Sequence, residues 1–380
     1  GNGRDLWALL EESKKRGDSD IASMETKQVD VHVLTVGSRQ SGKSTLIERI
    51  IRKEVKEAPL PTNGLRYCHG KKQVGNTVRV AHFWEIGGGE RLLDLVDVVI
   101  TPERIEDLVV VIVLDLSEPS LMMRSLATWL GKVRRRVLEV LETLPAQVGE
   151  RMTQRMLGLM RSTEDLSKTD PCLVPVVIAA HKYDTFRAEE SIDKHRIMAH
   201  TLRFVAHYHG CSLLYTDLTD SFCMAAYRNL MSKFLFESTI KENLQLDSRK
   251  TLYIPLGSDR LGDIGNNGRA PELDGEDKRW LDRHREQIEE PTGVEAWDMW
   301  NLIFVYMFPK SKKRSGAVSS DAAAGALLEF GEDEDEDFIV EDPAFQEPSI
   351  DTLRIQKEYE LDRYRSRAAA AAATASRNGT

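Results

Sequence analysis

Residues 37–44 read Gly-Ser-Arg-Gln-Ser-Gly-Lys-Ser and fit the pattern G-x-x-x-x-G-K-[ST] at every fixed position. The flanks narrow the choice of fold further. Residues 31–36, Val-His-Val-Leu-Thr-Val, read as a buried strand, and residues 44–55 read as a helix. A strand that turns through glycines into a helix N-terminus presents backbone N–H groups to an anion. In such a loop the glycines let the backbone close around phosphate oxygens. Lys43 carries a charge for the β- and γ-phosphates, and the Ser44 hydroxyl is placed for Mg²⁺. Gly37, Gln40, Ser41, Gly42, Lys43, Ser44 and Thr45 are therefore the first candidate nucleotide-binding residues.

Alternating units continue after the loop. Residues 77–86 alternate as a strand. Residues 108–114 form a β-branched run suited to a strand buried on both faces, and residues 173–180 read as another buried strand. Helical patterns cover 120–144, 195–208 and 222–236, with a short strand at 212–215. The cluster Lys132-Val133-Arg134-Arg135-Arg136 reads as a solvated helix face. The alternation predicts an α/β fold whose mainly parallel sheet carries helices on both faces. Beyond residue 237, residues 251–256 read as an edge strand, because Pro255 cannot donate to a ladder. Residues 262–275 read as loop. A helix at 294–308 carries Trp297, Trp300, Phe304 and Tyr306, an aromatic set expected in a core or a subunit contact.

Composition removes several classes of function. With a net charge of −9 and no basic excess, nucleic-acid binding is not expected. Cys68, Cys172, Cys211 and Cys223 form no C-x-x-C pair, which argues against a metal knuckle or a disulfide framework. No apolar run approaches the length of a membrane span. Nothing at the N-terminus resembles a signal peptide, and Asp5 stands where a myristoylation motif needs Ser or Thr. A soluble intracellular protein is expected.

The two ends differ from the middle. Residues 5–15 form a short amphipathic helix with Leu6, Trp7, Leu9 and Leu10 on one side, followed by a polar linker to residue 27. Residues 310–348 include an acidic run at 332–337 that cannot form a packed core and is expected to be flexible. Residues 349–367 form a helix with apolar residues on two opposite sides, Leu353 and Leu361 against Ile355 and Tyr359. A lone helix cannot bury both, so this one is expected to dock in a groove on its own domain or on a partner. The alanine-rich end, 368–380, is expected to be frayed or disordered.

Further motifs resemble those of small GTPases. Glu85-Ile86-Gly87-Gly88 stands for D-x-x-G, with Glu85 one methylene longer than the usual aspartate that serves the metal. Gly88 fits the glycine whose N–H meets the γ-phosphate. Gly89 stands where a glutamine orients the attacking water, and glycine has no group to do so. His181-Lys182-Tyr183-Asp184 stands for N-K-x-D. The resemblance places Asp184 on the guanine N1 and N2 donors and Lys182 along the base, with His181 replacing the asparagine that ties this loop to the P-loop. Thr62 is the candidate switch threonine for Mg²⁺, and Thr216-Asp217-Leu218 is a poor match to the last base-contacting motif. Binding parts are kept and hydrolytic parts are altered, which predicts a guanine nucleotide, GDP or GTP, held with slow turnover. Candidate metal ligands are Ser44, Thr62 and Glu85.

Several longer stretches resemble the light intermediate chain family of cytoplasmic dynein, on its dynein 2 branch. They are Asp5-Leu6-Trp7, residues 81–89 (Ala-His-Phe-Trp-Glu-Ile-Gly-Gly-Gly), residues 201–208 (Thr-Leu-Arg-Phe-Val-Ala-His-Tyr) and residues 353–361. The resemblance implies a Ras-like domain at 28–309 with an added strand and helix. That domain would bind and stabilise the dynein 2 heavy chain, alongside other dynein 2 subunits and intraflagellar transport trains, in cytoplasm, cilium and basal body. It implies a structural motor subunit rather than an enzyme. Residues 1–27, 310–348 and 349–367 would be its helix-and-linker, flexible linker and partner-binding helix. An active GTPase switch and a P-loop kinase are the alternatives, the latter without an acceptor-site motif.

Overall fold

The computed structural model describes residues 27–52, 59–160, 165–238, 244–265 and 294–309, together with Lys357, which is helical and exposed. The chain divides into two units, Gly1–Ala317 and Val318–Thr380. All of the described residues except Lys357 belong to the first. The expected N-terminal helix at 5–15, the linker to residue 26, the acidic linker, the helix at 349–367 (Lys357 aside) and the alanine-rich end lie outside the described residues, as does most of the loop expected at 262–275.

Seven strands form one sheet: β1 (Lys27–Gly37), β2 (Leu65–Val74), β3 (Thr77–Ile86), β4 (Leu108–Asp115), β5 (Val176–His181), β6 (Cys211–Thr216) and β7 (Tyr253–Ile254). Their order is β2-β3-β1-β4-β5-β6-β7. The inner pairs are parallel, and β2 with β3 and β6 with β7 are antiparallel. β1 begins at Lys27, one residue inside the segment read as linker. β2 was not expected from the sequence. It folds back on β3 through Gly75-Asn76, with Gly75 at φ 58° in the left-handed region that a two-residue hairpin turn requires.

Among the described residues the helices are α1 (Lys43–Ile51), α2 (Val96–Val99), α3 (Pro119–Thr143), α4 (Ala146–Leu159), α5 (Tyr183–Glu189), α6 (Ile192–Tyr208), α7 (Ser221–Phe236) and α8 (Val294–Met307). None of them is long and apolar enough to cross a membrane. Side-chain alternation along each strand splits the core in two. Leu34, Val36, Val110, Ile112 and Ile178 face α3, α6 and α8 through Leu126, Trp129, Met198, Leu202, Trp300 and Phe304. Val33, Val111, Val113, Val177 and Leu214 face α1 and α7 through Leu46, Ile47, Tyr227 and Met231. Every residue of β4 is buried, as its unbroken β-branched run requires when both faces are covered. Trp300 and Phe304 are core, in line with the expectation for that aromatic helix.

The basic cluster on α3 is more than a solvated face. Lys132 pairs with Asp94 at 3.2 Å and Asp97 at 3.0 Å, and Arg136 Nε donates to the Ile100 carbonyl at 3.2 Å. Arg134 is bound to the Asp170 carboxylate. These cations pin the segments before β4 and before β5 to the helix. A stronger tie lies on α6. The Arg203 guanidinium forks onto Asp259, with Nε to Oδ2 at 2.8 Å and Nη2 to Oδ1 at 2.7 Å, both side chains buried. One turn on, His207 Nε2 meets Asp165 Oδ2 at 3.0 Å, and Asp165 also accepts from the Leu261 N–H at 2.9 Å.

Candidate nucleotide site

The glycine loop lies at the carboxyl end of β1, between strand and α1, where parallel sheets of this kind hold ligands. Its backbone admits little else. Gly37 has φ 144°, and a Cβ there would stand 2.2 Å from the Val113 carbonyl oxygen on β4. Gly42 has φ 93°, and its Cβ would stand 2.2 Å from His181 Cδ2. Gln40 takes φ 57°, a left-handed conformation that costs a non-glycine residue about 1 kcal/mol. Ser41 is fully buried. Lys43 is also buried, and its Nζ donates to the Gly37 carbonyl at 3.0 Å and the Ser38 carbonyl at 2.6 Å. Burial brings the Lys43 ammonium down to about 8, against a smaller pull upward from Glu85.

Three oxygen-bearing side chains meet at the start of α1. Ser44 Oγ donates to Glu85 Oε1 at 2.5 Å and lies 3.5 Å from Thr62 Oγ1. Thr62, the least specific of the sequence assignments, is thus brought to the same point as Ser44 and Glu85. The extra methylene of Glu85 carries its carboxylate onto the serine hydroxyl. Its Oε2 is buried without a hydrogen-bond partner among the described residues, with Arg66 Nη1 3.7 Å away. An orphaned carboxylate oxygen beside two hydroxyls is a hard donor set of the kind Mg²⁺ takes. The residues fit such an ion: Ser44, Thr62 and Glu85 would hold it, and it would screen phosphate charge.

Gly88 and Gly89 follow β3, with φ 73° and 67°. A Cβ at Gly89 would stand 3.3 Å from both Cγ and N of Arg39 in the glycine loop. Any side chain here would have to adopt a left-handed backbone and crowd that loop, so the position suits glycine.

The second motif ends β5. Lys182 caps α5 in the left-handed region at φ 62°, and Asp184 lies in its first turn, so the motif opens a helix rather than sitting in a plain loop. Lys182 Nζ is bound by the Asp115 carboxylate at the end of β4, with Ser117 Oγ at 3.5 Å. Asp115 Oδ1 in turn accepts from the Ser117 N–H at 3.0 Å and hydroxyl at 2.6 Å. Asp184 makes no hydrogen bond or ion pair with another described residue. His181 packs against Gly42, and its Nδ1 lies 2.9 Å from Thr216 Oγ1, so one ring joins the glycine loop to the ends of β5 and β6. Burial holds the His181 imidazole below the usual histidine range, and it stays neutral near pH 7. Asp217, in the weakest of the matched motifs, spends its carboxylate on the Thr219 N–H at 2.7 Å and hydroxyl at 2.8 Å.

Sequence reasoning did not single out Asp115, Ser117 or Arg66. The Asp-Leu-Ser triplet that closes the most apolar strand was the available signal, since polar residues at the carboxyl edge of such a sheet face its ligand crevice.

A glycine loop between the first parallel strand and its helix, with a second motif two strands away, defines a Ras-like P-loop protein of the α/β class. The family model "Ras of Complex, Roc, domain of DAPkinase" matches residues 32–142. Over 372 residues the chain is 30% identical to cytoplasmic dynein 2 light intermediate chain 1 of Danio rerio, covering 95% of this chain and 94% of that one. It is also 30% identical, over 367 residues and 95% of both chains, to the Homo sapiens protein of the same name. The chain belongs to the family of cytoplasmic dynein 2 light intermediate chains. A crystal structure of the conserved domain of a dynein light intermediate chain shares the fold, with a TM-score of 0.50 and 14% identity over 79% of this chain and 98% of that one.

Proposed function

We propose that this chain is a non-catalytic subunit of the cytoplasmic dynein 2 motor that binds and stabilises the heavy-chain tail for retrograde intraflagellar transport in cilia. The observation that carries this reading is the match to light intermediate chains of that motor, over 95% of both chains in the Homo sapiens case. The site chemistry supports it. Gly89 offers no group to orient water, and Glu85 is engaged with the Ser44 hydroxyl. Purification of the full chain co-expressed with the dynein 2 heavy-chain tail tests the proposal: the two should elute together. Separate elution would overturn it.

The pocket keeps a guanine nucleotide as a structural ligand. Gly37, Gln40, Ser41, Gly42, Lys43, Ser44, Thr45 and Gly88 serve its phosphates, Lys182 and Asp184 its base. Denaturing the purified protein and identifying the released nucleotide checks this, followed by a single-turnover assay with GTP. Rapid turnover would favour the active-switch alternative, and an inability to bind guanine nucleotides would remove the pocket from the account.

The buried Lys43 makes binding pH-dependent. Its folded value is about 8 against an ordinary 10.5, so between these the unfolded chain holds a proton that the folded one lacks, and fold stability rises with pH across that window. A phosphate beside Nζ restores the proton. Binding therefore takes up a proton above about pH 8, and affinity falls as pH rises, by at most about tenfold per pH unit. Titrations of a fluorescent GDP from neutral to alkaline pH read this directly, and a flat profile would contradict it.

A further inference from the structure

A cleft of about 520 Å³ lies between α7 and the segment leading into β7, and none of the nucleotide-site residues lines it. One wall is the stripe Phe222, Ala225, Ala226 and Asn229, the i, i+3, i+4, i+7 face of α7. Phe222 is 63% exposed, an unusual position for a phenylalanine, and Leu244 on the opposite wall is 46% exposed. The two alanines between them leave room for another chain to approach the helix.

Charge singles out the cleft. The protein carries a net charge of −9, yet among the described residues the lining holds Arg187, Arg249 and Lys250 and no acid. Arg249 and Lys250 are weakly tied to Asp247, at 3.7 and 4.0 Å, and both remain largely exposed. Arg187 lies over the Tyr183 ring at 5.8 Å. Three cations around exposed apolar side chains favour one kind of occupant: a segment with acids along its flank and a bulky apolar side chain to set against Phe222 and Leu244.

We infer that this cleft docks an acidic, amphipathic segment of a partner protein. Its position links it to the nucleotide site. Arg187 is one turn from Asp184 on α5, and α7 begins directly after the loop held by Asp217. The inference does not require the heavy chain to be that partner, and its test is independent of motor assembly.

The probe is a short fluorescein-labelled peptide of glutamates interspersed with leucine and phenylalanine, added to the full chain. Polarisation should report binding that weakens with salt. The double charge reversal Arg249→Glu with Lys250→Glu should weaken it at least about tenfold, and Phe222→Ser about fivefold. All three positions are exposed, so urea unfolding should find both variants as stable as the parent. Binding no tighter than that of a lysine-based peptide, or binding untouched by the substitutions, overturns the inference. So does concentration-dependent self-association that the charge reversal abolishes, because the occupant would then be a second copy of this chain.

Discussion

Asp259→Ala should destabilise the fold by about 3–5 kcal/mol, the cost of leaving a buried charge unpaired. Asp259 is 4% exposed, and its only bond to a side chain among the described residues is the fork from Arg203, itself 4% exposed. Removing the carboxylate strands a guanidinium in the core beside α6. The loop after β7 is released as well, because Asp259 Oδ1 also accepts from the Arg260 N–H at 2.9 Å. Urea unfolding of parent and variant measures the loss. Replacing both partners, Arg203→Met with Asp259→Leu, should recover most of it, since a well-packed apolar pair often equals a buried ion pair. A loss below about 1 kcal/mol for Asp259→Ala would mean that water reaches Arg203, and that the pair belongs with surface bridges.

The second large effect falls on binding. Lys43→Ala should weaken guanine-nucleotide affinity by roughly 10- to 150-fold, the equivalent of about 1.5–3 kcal/mol for hydrogen bonds from a charged group. The lysine is already bound to two carbonyls of its own loop, so part of its phosphate interaction replaces existing bonds. That exchange keeps the expected figure below what a free ammonium would contribute. Titration with fluorescent GDP gives the ratio, and urea unfolding separates it from any loss of fold. An unchanged affinity would mean that nucleotide, where it binds, does not use this loop.

Much of this was legible in the residues. β4 announces itself through its β-branched run and β5 through a wholly apolar one closed by His181, because both of their faces are covered. The glycine loop is legible because its backbone tolerates so few side chains. β2 was not, and the reason is its place at the edge: Arg66, Tyr67, His69, Lys71 and Lys72 leave no clean alternation in a strand with little to bury. α4 was hidden for a similar reason. Its buried residues are Val148, Met152 and Met156, too thin a stripe to stand out. In the site, local motifs could be read and long-range ties could not. Lys182 and Asp115 are 67 positions apart, and only the pairing of β4 with β5 brings them together.

The packing of α8 has a mechanical meaning. Trp300 stacks on Phe204 of α6 at 5.5 Å, and Phe308 meets Phe186 of α5 at 6.1 Å. Tension applied to the chain beyond residue 309 would enter the domain through these rings. Unseating them would cost about 1.5–3 kcal/mol of burial for each buried aromatic. Phe186 sits on the same short helix as Asp184, and Lys182 is that helix's cap. A load passing through Phe308 would therefore reach α5 at Phe186, two residues from Asp184.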